Sequence, residues 1–306
     1  MIYKLLGSFI KGLLRLRYRV TLHDFDKIPS EEGKGILFLP NHPAMVDPFI
    51  IYTTLMKKFR PRVLIDERQA LRPGMGYICK KINALTIPDV SKVGTAGKAK
   101  IQEAINEVVK SLRNGDNVIL YPAGQIFRKG LEDLRGASAV QQILDEMPDT
   151  RVVVIRTVGL WGSSLSYAQT GKEPALGKIG PKILLYLVTN FVFCIPKRKV
   201  KITFSEPENL PRQASKQVLN QYLEDYYNSE MHLNLFYPYY FVKGFKPLEK
   251  VTPEVIRELS DSSTVSAKVR EHVYEYLKKN TGISHIEDQH LLTKDLNMDS
   301  LSKTDL

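Results

Sequence analysis

A histidine and an aspartate stand five residues apart in the run Asn41-His42-Pro43-Ala44-Met45-Val46-Asp47-Pro48. The preceding segment, Gly35–Leu39, is apolar and reads as a strand. The pair would then sit at a strand's carboxyl end, where α/β sheets hold their ligands. Asp47-Pro48 reads as a helix N-cap followed by the first helical residue. That would fix the Asp47 backbone and leave its carboxylate free to accept a bond from the His42 ring. Such a dyad holds the imidazole in one tautomer and stabilises its protonated form. The imidazole could take a proton from an alcohol at neutral pH, a contribution of typically ~10²–10⁴ in rate. A histidine beside an ordinary helix cap has the same spacing, so the pair alone does not separate the two readings.

Other chemistries lack their residues. The chain has no Gly-x-Ser-x-Gly nucleophile turn, no P-loop, no Gly-x-Gly-x-x-Gly fingerprint and no zinc-protease helix. Its two cysteines, Cys79 and Cys194, form no Cys-x-x-Cys pair, and no His-rich cluster has metal-ligand spacing. They read as small buried residues in a reducing compartment. Lys and Arg number 44 against 33 Asp and Glu, a net charge of +11. The excess suggests an anionic partner. With no nucleic-acid-binding motif beside it, an anionic membrane surface is the expectation and nucleic acid is not.

The elements that would position the pair can be read from periodicity. Residues 2–16 form an amphipathic pattern, with Ile2, Leu5, Leu6, Phe9, Leu13 and Leu16 at helical spacing and Lys4, Lys11, Arg15, Arg17 and Arg19 around them. A helix lying in a membrane interface has this composition, and so has a helix packing on its own domain. The same basic residues, with no small-residue cleavage site, argue against a signal peptide. Strands are expected at Tyr18–Leu22, Gly35–Leu39, Arg62–Ile65, Asn117–Tyr121, Val152–Arg156 and Val200–Phe204, with helices between them. The clearest helix is Ala96–Arg113, stopped by Asn114-Gly115. Strands alternating with helices indicate a layered α/β domain. Ile183–Ile195 is a second apolar stretch, too short to span a bilayer comfortably: a buried core helix or a re-entrant interfacial one. Pro196-Lys197-Arg198-Lys199 after it would suit an anionic surface or be a solvated charge run. The aromatic-rich Leu233–Phe245 reads as a linker packing back on the core.

Asn41-His42-x4-Asp47 after an apolar strand resembles the first motif of the glycerol-phosphate and lysophospholipid acyltransferase family. The strand Asn117–Tyr121 leads into Pro122-Ala123-Gly124-Gln125 and Arg128-Lys129-Gly130, which is similar to that family's third motif, Phe-Pro-Glu-Gly-Thr-Arg. Leu134-Arg135-Gly136-Ala137 resembles the Lys/Arg-Gly-Ala element that follows it, and Val152–Arg156 the apolar fourth motif. Order and spacing agree over residues 15–205. The resemblance implies a mixed sheet flanked by helices. It implies His42 as general base and Asp47 as its orienting partner. Asn41, Pro122, Gly124, Gln125 and Arg128 would be substrate-binding, with exposed backbone N–H groups able to meet an anion. An acceptor hydroxyl would attack a fatty acyl thioester, on acyl-carrier protein or CoA, with no metal. The acceptor would be a lysophospholipid or 1-acylglycerol-3-phosphate, at the cytoplasmic face of a membrane. Two of the motifs depart from the pattern. Ala123 and Gln125 stand where the family has Glu and Thr, and Asp89 stands where its second motif has an Arg. Lys92, Arg128 and Lys129 are basic residues that could meet the head group instead. A non-catalytic lipid-binding or scaffold protein is the alternative that these departures leave.

The last segment carries a second resemblance. Ser266–Asn280 reads as a helix with Val269, Val273, Tyr276 and Leu277 inward, and Asp295-Leu296-Asn297-Met298-Asp299-Ser300-Leu301 is similar to the attachment site of an acyl carrier protein. This implies 4′-phosphopantetheine on Ser300. With only six residues after Ser300, the carrier reads as truncated and the chain as the front of a longer protein. The expected organisation is an interfacial helix at 1–16, an acyltransferase domain at 17–210, a connector at 211–251 and a partial helical carrier domain at 252–306.

Overall fold

The computed structural model describes residues 2–30, 33–71, 75–87, 94–134, 136–174, 176–191, 194–252, 265–288, 290, 292, 296 and 298. In chain order the elements are α1 (Ile2–Arg17), β1 (Tyr18–His23), β2 (Ile36–Pro40), α2 (Asp47–Leu55), β3 (Arg62–Asp66), α3 (Glu67–Ala70), α4 (Met75–Lys81), β4 (Leu85–Ile87) and α5 (Gly94–Arg113). They continue with β5 (Val118–Ile119), α6 (Ala139–Glu146), β6 (Arg151–Val158), α7 (Leu176–Thr189), β7 (Arg198–Ser205), α8 (Lys216–Asn228), β8 (Leu235–Phe236), β9 (Leu248–Glu249) and α9 (Ala267–Thr281). The short β4 is a strand that periodicity does not mark.

Seven strands form one sheet in the order β1-β7-β6-β2-β5-β3-β4. β6 and β7 are antiparallel, and β2 runs parallel to both β5 and β6. The sheet is therefore mixed, and helices cover both faces. β2 shows why. All five of its residues are buried, and alternate side chains enter different cores. Leu37 and Leu39 join α5, α6 and α8 through Val108, Ile143 and Leu223. Ile36 and Phe38 join α2 through Ile50, Ile51 and Leu55. β5 has two ladder residues, and the Asn117 side chain before it ties neighbouring backbone together. Its Oδ1 accepts from the Ile36 N–H at 3.0 Å and its Nδ2 donates to the Phe59 carbonyl at 2.7 Å.

Several expectations need correction. α8, expected in a connector, packs on the sheet: Leu219, Leu223 and Tyr227 are fully buried in the same core as β2 and β5, so that core continues past residue 210. Arg198 is not part of a basic surface run. It is 1% exposed at the start of β7, and its guanidinium donates to the carbonyls of Gly159, Trp161, Gly162 and Leu235. Burial without an acidic partner lowers its pKa to about 10. Cys79 is buried as expected, but Cys194 is exposed. α7 is not a buried core helix, since Leu184, Leu185 and Val188 are exposed.

α1 divides its apolar residues. Gly7 meets the Met56 side chain so closely that an added Cβ would lie 2.2 Å from its Sδ. Leu14 packs against the α2 side of the sheet, whereas Phe9 and Leu13 face out. Among the described residues no helix is long and apolar enough to cross a membrane. At the chain's end, Ser266 caps α9 by accepting from the Val269 N–H. Leu277, Ile286, Leu296 and Met298 form a small buried cluster of their own. Val269, expected inward, is 54% exposed. Ser300 lies outside the described residues, as do Asp89, Lys92 and Arg135.

Candidate active site

β2, β5 and β6 lie side by side and parallel, so their carboxyl ends open on one edge of the sheet. The chain leaving β2 carries His42, the chain leaving β5 carries Tyr121–Phe127, and the chain leaving β6 carries Leu160–Ala168. Backbone bonds join the three. The Phe127 N–H donates to the His42 carbonyl at 2.9 Å, and the Met45 N–H donates to the Leu165 carbonyl at 2.8 Å. The two motifs, about eighty residues apart in the chain, are thereby brought into one loop cluster.

His42 Nδ1 lies 2.9 Å from Asp47 Oδ2. The same oxygen accepts the Ala44 N–H at 3.1 Å. Asp47 is fully buried, while the His42 side chain is 17% exposed. An ionised Asp47 requires the imidazole to carry its proton on Nδ1, which leaves Nε2 as the nitrogen that can accept one. Asp47 is the first residue of α2, with Val46 as N-cap, so the expected cap lies one residue earlier. The consequence is favourable: the carboxylate makes no capping bond and is spent on His42 and on the turn that holds it.

The dyad's surroundings are acidic and dry. Burial raises the pKa of the Asp47 carboxyl, opposed by the charge and hydrogen bond of His42, the Ala44 N–H and the Tyr121 hydroxyl. Asp47 Oδ1 and the Tyr121 hydroxyl are both buried without a formed hydrogen bond, yet each lies within the other's electrostatic influence. Burial and the neighbouring Asp47 push the Tyr121 hydroxyl well above its ordinary value. The Tyr121 ring lies against the His42 ring, with centroids 4.4 Å apart.

Glu132, which no sequence pattern marks, completes the support. Its Oε2 accepts the His42 backbone N–H at 2.7 Å from a position 3% exposed. Burial raises its pKa well above the ordinary carboxylate range. α8 holds its loop. Asn228 accepts the Glu132 N–H and donates to the Glu132 carbonyl, both at 2.9 Å. Glu224 accepts the Leu134 N–H at 2.7 Å, and Asn220 donates to the Ala137 carbonyl at 2.9 Å. The Tyr227 hydroxyl donates to the Leu39 carbonyl at 2.9 Å. These four α8 residues are spaced along one side of the helix.

The remaining expected site residues separate into two groups. Asn41 is fully buried, its amide donating to the Thr157 carbonyl at 3.1 Å and accepting the Thr157 N–H at 2.7 Å. It ties the end of β2 to β6 behind the dyad and does not face the opening. Pro122 is buried under the second loop, whereas Gly124 and Arg128 are exposed and Gln125 is half-buried. Gly124 adopts φ 64° and its N–H closes a turn on the Tyr121 carbonyl at 3.0 Å, a conformation that favours glycine. Among the described residues no group of three or more His, Cys, Asp or Glu side chains could hold a metal ion.

A strand-end imidazole oriented by a buried carboxylate, beside a glycine turn, is equipment for activating a hydroxyl by general-base catalysis. Residues 19–156 match the family model described as Acyltransferase. That stretch runs from β1 into β6 and includes His42, Asp47 and the Tyr121–Phe127 loop. Among solved structures, the chain is similar to the 1-acyl-sn-glycerophosphate (LPA) acyltransferase PlsC from Thermotoga maritima, with a TM-score of 0.49 and 16% sequence identity over 74% of this chain and 77% of that one. No curated protein matches the chain.

Proposed function

We propose that the protein transfers a fatty acyl group from a thioester, on acyl-carrier protein or CoA, to the hydroxyl of a lysophospholipid or 1-acylglycerol-3-phosphate. The observation that carries this reading is the 2.9 Å contact from His42 Nδ1 to the buried Asp47. In the proposed step, His42 Nε2 takes the acceptor's hydroxyl proton as that oxygen attacks the thioester carbonyl. The tetrahedral intermediate collapses with breakage of the carbon–sulfur bond, and the departing thiolate recovers the proton from His42. The backbone N–H groups of Ala123 and Gln125, in the turn that the Gly124 N–H closes, would meet the oxyanion or the acceptor's phosphate, with Arg128 at the exposed side. A phosphorylated or anionic acceptor agrees with the net charge of +11.

The protein works, in this reading, at an anionic membrane surface on the cytoplasmic side. The carrier-like segment supports a further assignment, 4′-phosphopantetheine on Ser300, which would tether a thioester. A small buried cluster of Leu277, Ile286, Leu296 and Met298 in that segment supports this reading. A non-catalytic lipid-binding role is favoured by Ala123 and Gln125 alone.

The test is transfer from labelled acyl-CoA and acyl-carrier protein to a panel of lysolipids. We expect His42→Ala to lose about 10²-fold or more, and Asp47→Asn to lose a comparable factor by releasing the imidazole tautomer. Undiminished transfer by the His42→Ala protein would remove the base. A folded wild type that binds lysolipid and transfers nothing would establish the lipid-binding role instead.

A further inference from the structure

α7 has one face tied to the protein and one face bare. Tyr186 stacks on Tyr239 with ring centroids 4.3 Å apart, and the Asn190 side chain accepts the Phe241 N–H at 3.1 Å. Leu184, Leu185 and Val188 point the other way and are 64, 52 and 66% exposed. Phe191, just beyond the helix, is 76% exposed. At Gly177 and Gly180, on that same side, nothing lies within 4 Å of where a side chain would begin. Phe241, Val242 and Phe245, in the segment that Asn190 holds, are exposed as well. Four exposed lysines accompany this apolar surface along the chain: Lys182 on α7, Lys197 and Lys199 in the segment that follows, and Lys243 beside Val242.

We propose that this face of α7, together with the Phe241–Phe245 segment, inserts into the interface of an anionic lipid bilayer. Its 14 residues span about 21 Å, too short to cross a hydrocarbon core of ~30 Å but suited to lying in the headgroup boundary. Exposed lysines on and next to these two apolar segments match an anionic surface, which is why lipid is the occupant and not an apolar protein groove. The surface also adjoins the site. Tyr239 stacks on Tyr186 and bonds Ser164 through its hydroxyl. The next residue, Leu165, accepts from the Met45 N–H between His42 and Asp47. A bilayer that α7 enters is therefore met by the same loop cluster that holds the dyad. This last point rests on the reading of the site as taking a lipid acceptor; the insertion itself does not.

The experiment is cosedimentation of the full chain with phosphatidylcholine vesicles, with and without phosphatidylglycerol. It compares wild type with the double variant Leu184→Asp/Val188→Asp. We expect wild type to prefer the anionic vesicles and to lose binding as salt rises, and the variant to bind at least about tenfold more weakly. Because both side chains are exposed, the variant's Tm should stay near wild type's. A separate protein, Leu184→Trp, should show emission quenched by brominated lipid beyond that of the native Trp161, which is 1% exposed. Equal vesicle binding by the double variant, or no added quenching at Leu184→Trp, would overturn the proposal. So would self-association that the double variant abolishes while vesicles remain unbound, since the face would then belong to a second copy. Wild type that binds vesicles through α7 but transfers no acyl group would uphold the insertion and remove the catalytic reading alone.

Discussion

His42 can serve a hydroxyl through Nε2 only while Nδ1 is held, and three acidic or phenolic neighbours share that task without exposing charge. Asp47 fixes the ring, Tyr121 lies against it, and Glu132 fixes the backbone that carries it. Glu132 touches no reacting atom and is a positioning residue. Replacing it by Ala would strand the His42 N–H, a buried donor whose loss costs about 1–3 kcal/mol. We expect Glu132→Ala to lower kcat by about 10² with less effect on KM, as a small displacement of a catalytic group does. Glu132→Gln keeps an acceptor and should restore most of the rate. The pH dependence separates charge from shape. The unfolded chain releases the Glu132 proton in the ordinary carboxylate range, but the folded chain releases it only at higher pH. Between those limits the folded state holds the extra proton, so stability falls as pH rises. Asp47, also raised, contributes in the same direction. Melting curves across that range should show a steeper decline for wild type than for Glu132→Gln; parallel curves would mean that Glu132 is not buried as an ionisable group.

α8 is the element on which this arrangement depends. Its apolar side, Leu219, Leu223 and Tyr227, fills the core over β2 and β5, and its polar residues clamp the Glu132–Ala137 loop. Apart from Tyr227, which packs and also bonds the Leu39 carbonyl, packing and site support come from different side chains of one helix, and substitutions can separate them. Leu223→Ala should destabilise the fold by about 2–5 kcal/mol, as loss of a fully buried leucine does, with activity per folded molecule retained. Asn228→Ala should cost stability less, because it removes two hydrogen bonds and no core packing, but lower kcat by freeing the Glu132 backbone. Denaturant unfolding paired with kinetics would check both. Equal loss of activity and stability in the two variants would show that α8 acts through packing alone.

At the scale of the molecule, two bodies of unequal size lie along the chain. The mixed sheet with its helices runs from α1 through α8, and a small apolar cluster gathers around α9. If the second is a carrier, incubating the full chain with CoA and a phosphopantetheinyl transferase should add one phosphopantetheine mass, absent in Ser300→Ala. An unchanged mass would leave the segment without that role. Phe9 and Leu13 on α1 and the bare side of α7 are apolar and exposed. They are the two surfaces on which the proposed contact with lipid would rest.

The sequence by itself determined the elements whose side chains alternate or recur at fixed intervals. β2, β6, β7 and α5 were legible for that reason, and so was the His42–Asp47 pair, whose partners are five residues apart and meet through local backbone geometry. What depended on distant segments was not legible. β4 is three residues long and carries no period. Arg198 looked like surface charge until four backbone carbonyls, gathered by the turns after β6 and by β8, surrounded it. α8 read as a connector because an amphipathic pattern does not say which core it enters. Glu132 is ninety residues from His42, and nothing in its neighbours signals the contact. Only the tertiary structure could supply it, because a bond between a carboxylate and a backbone N–H leaves no mark on the donor's residue type.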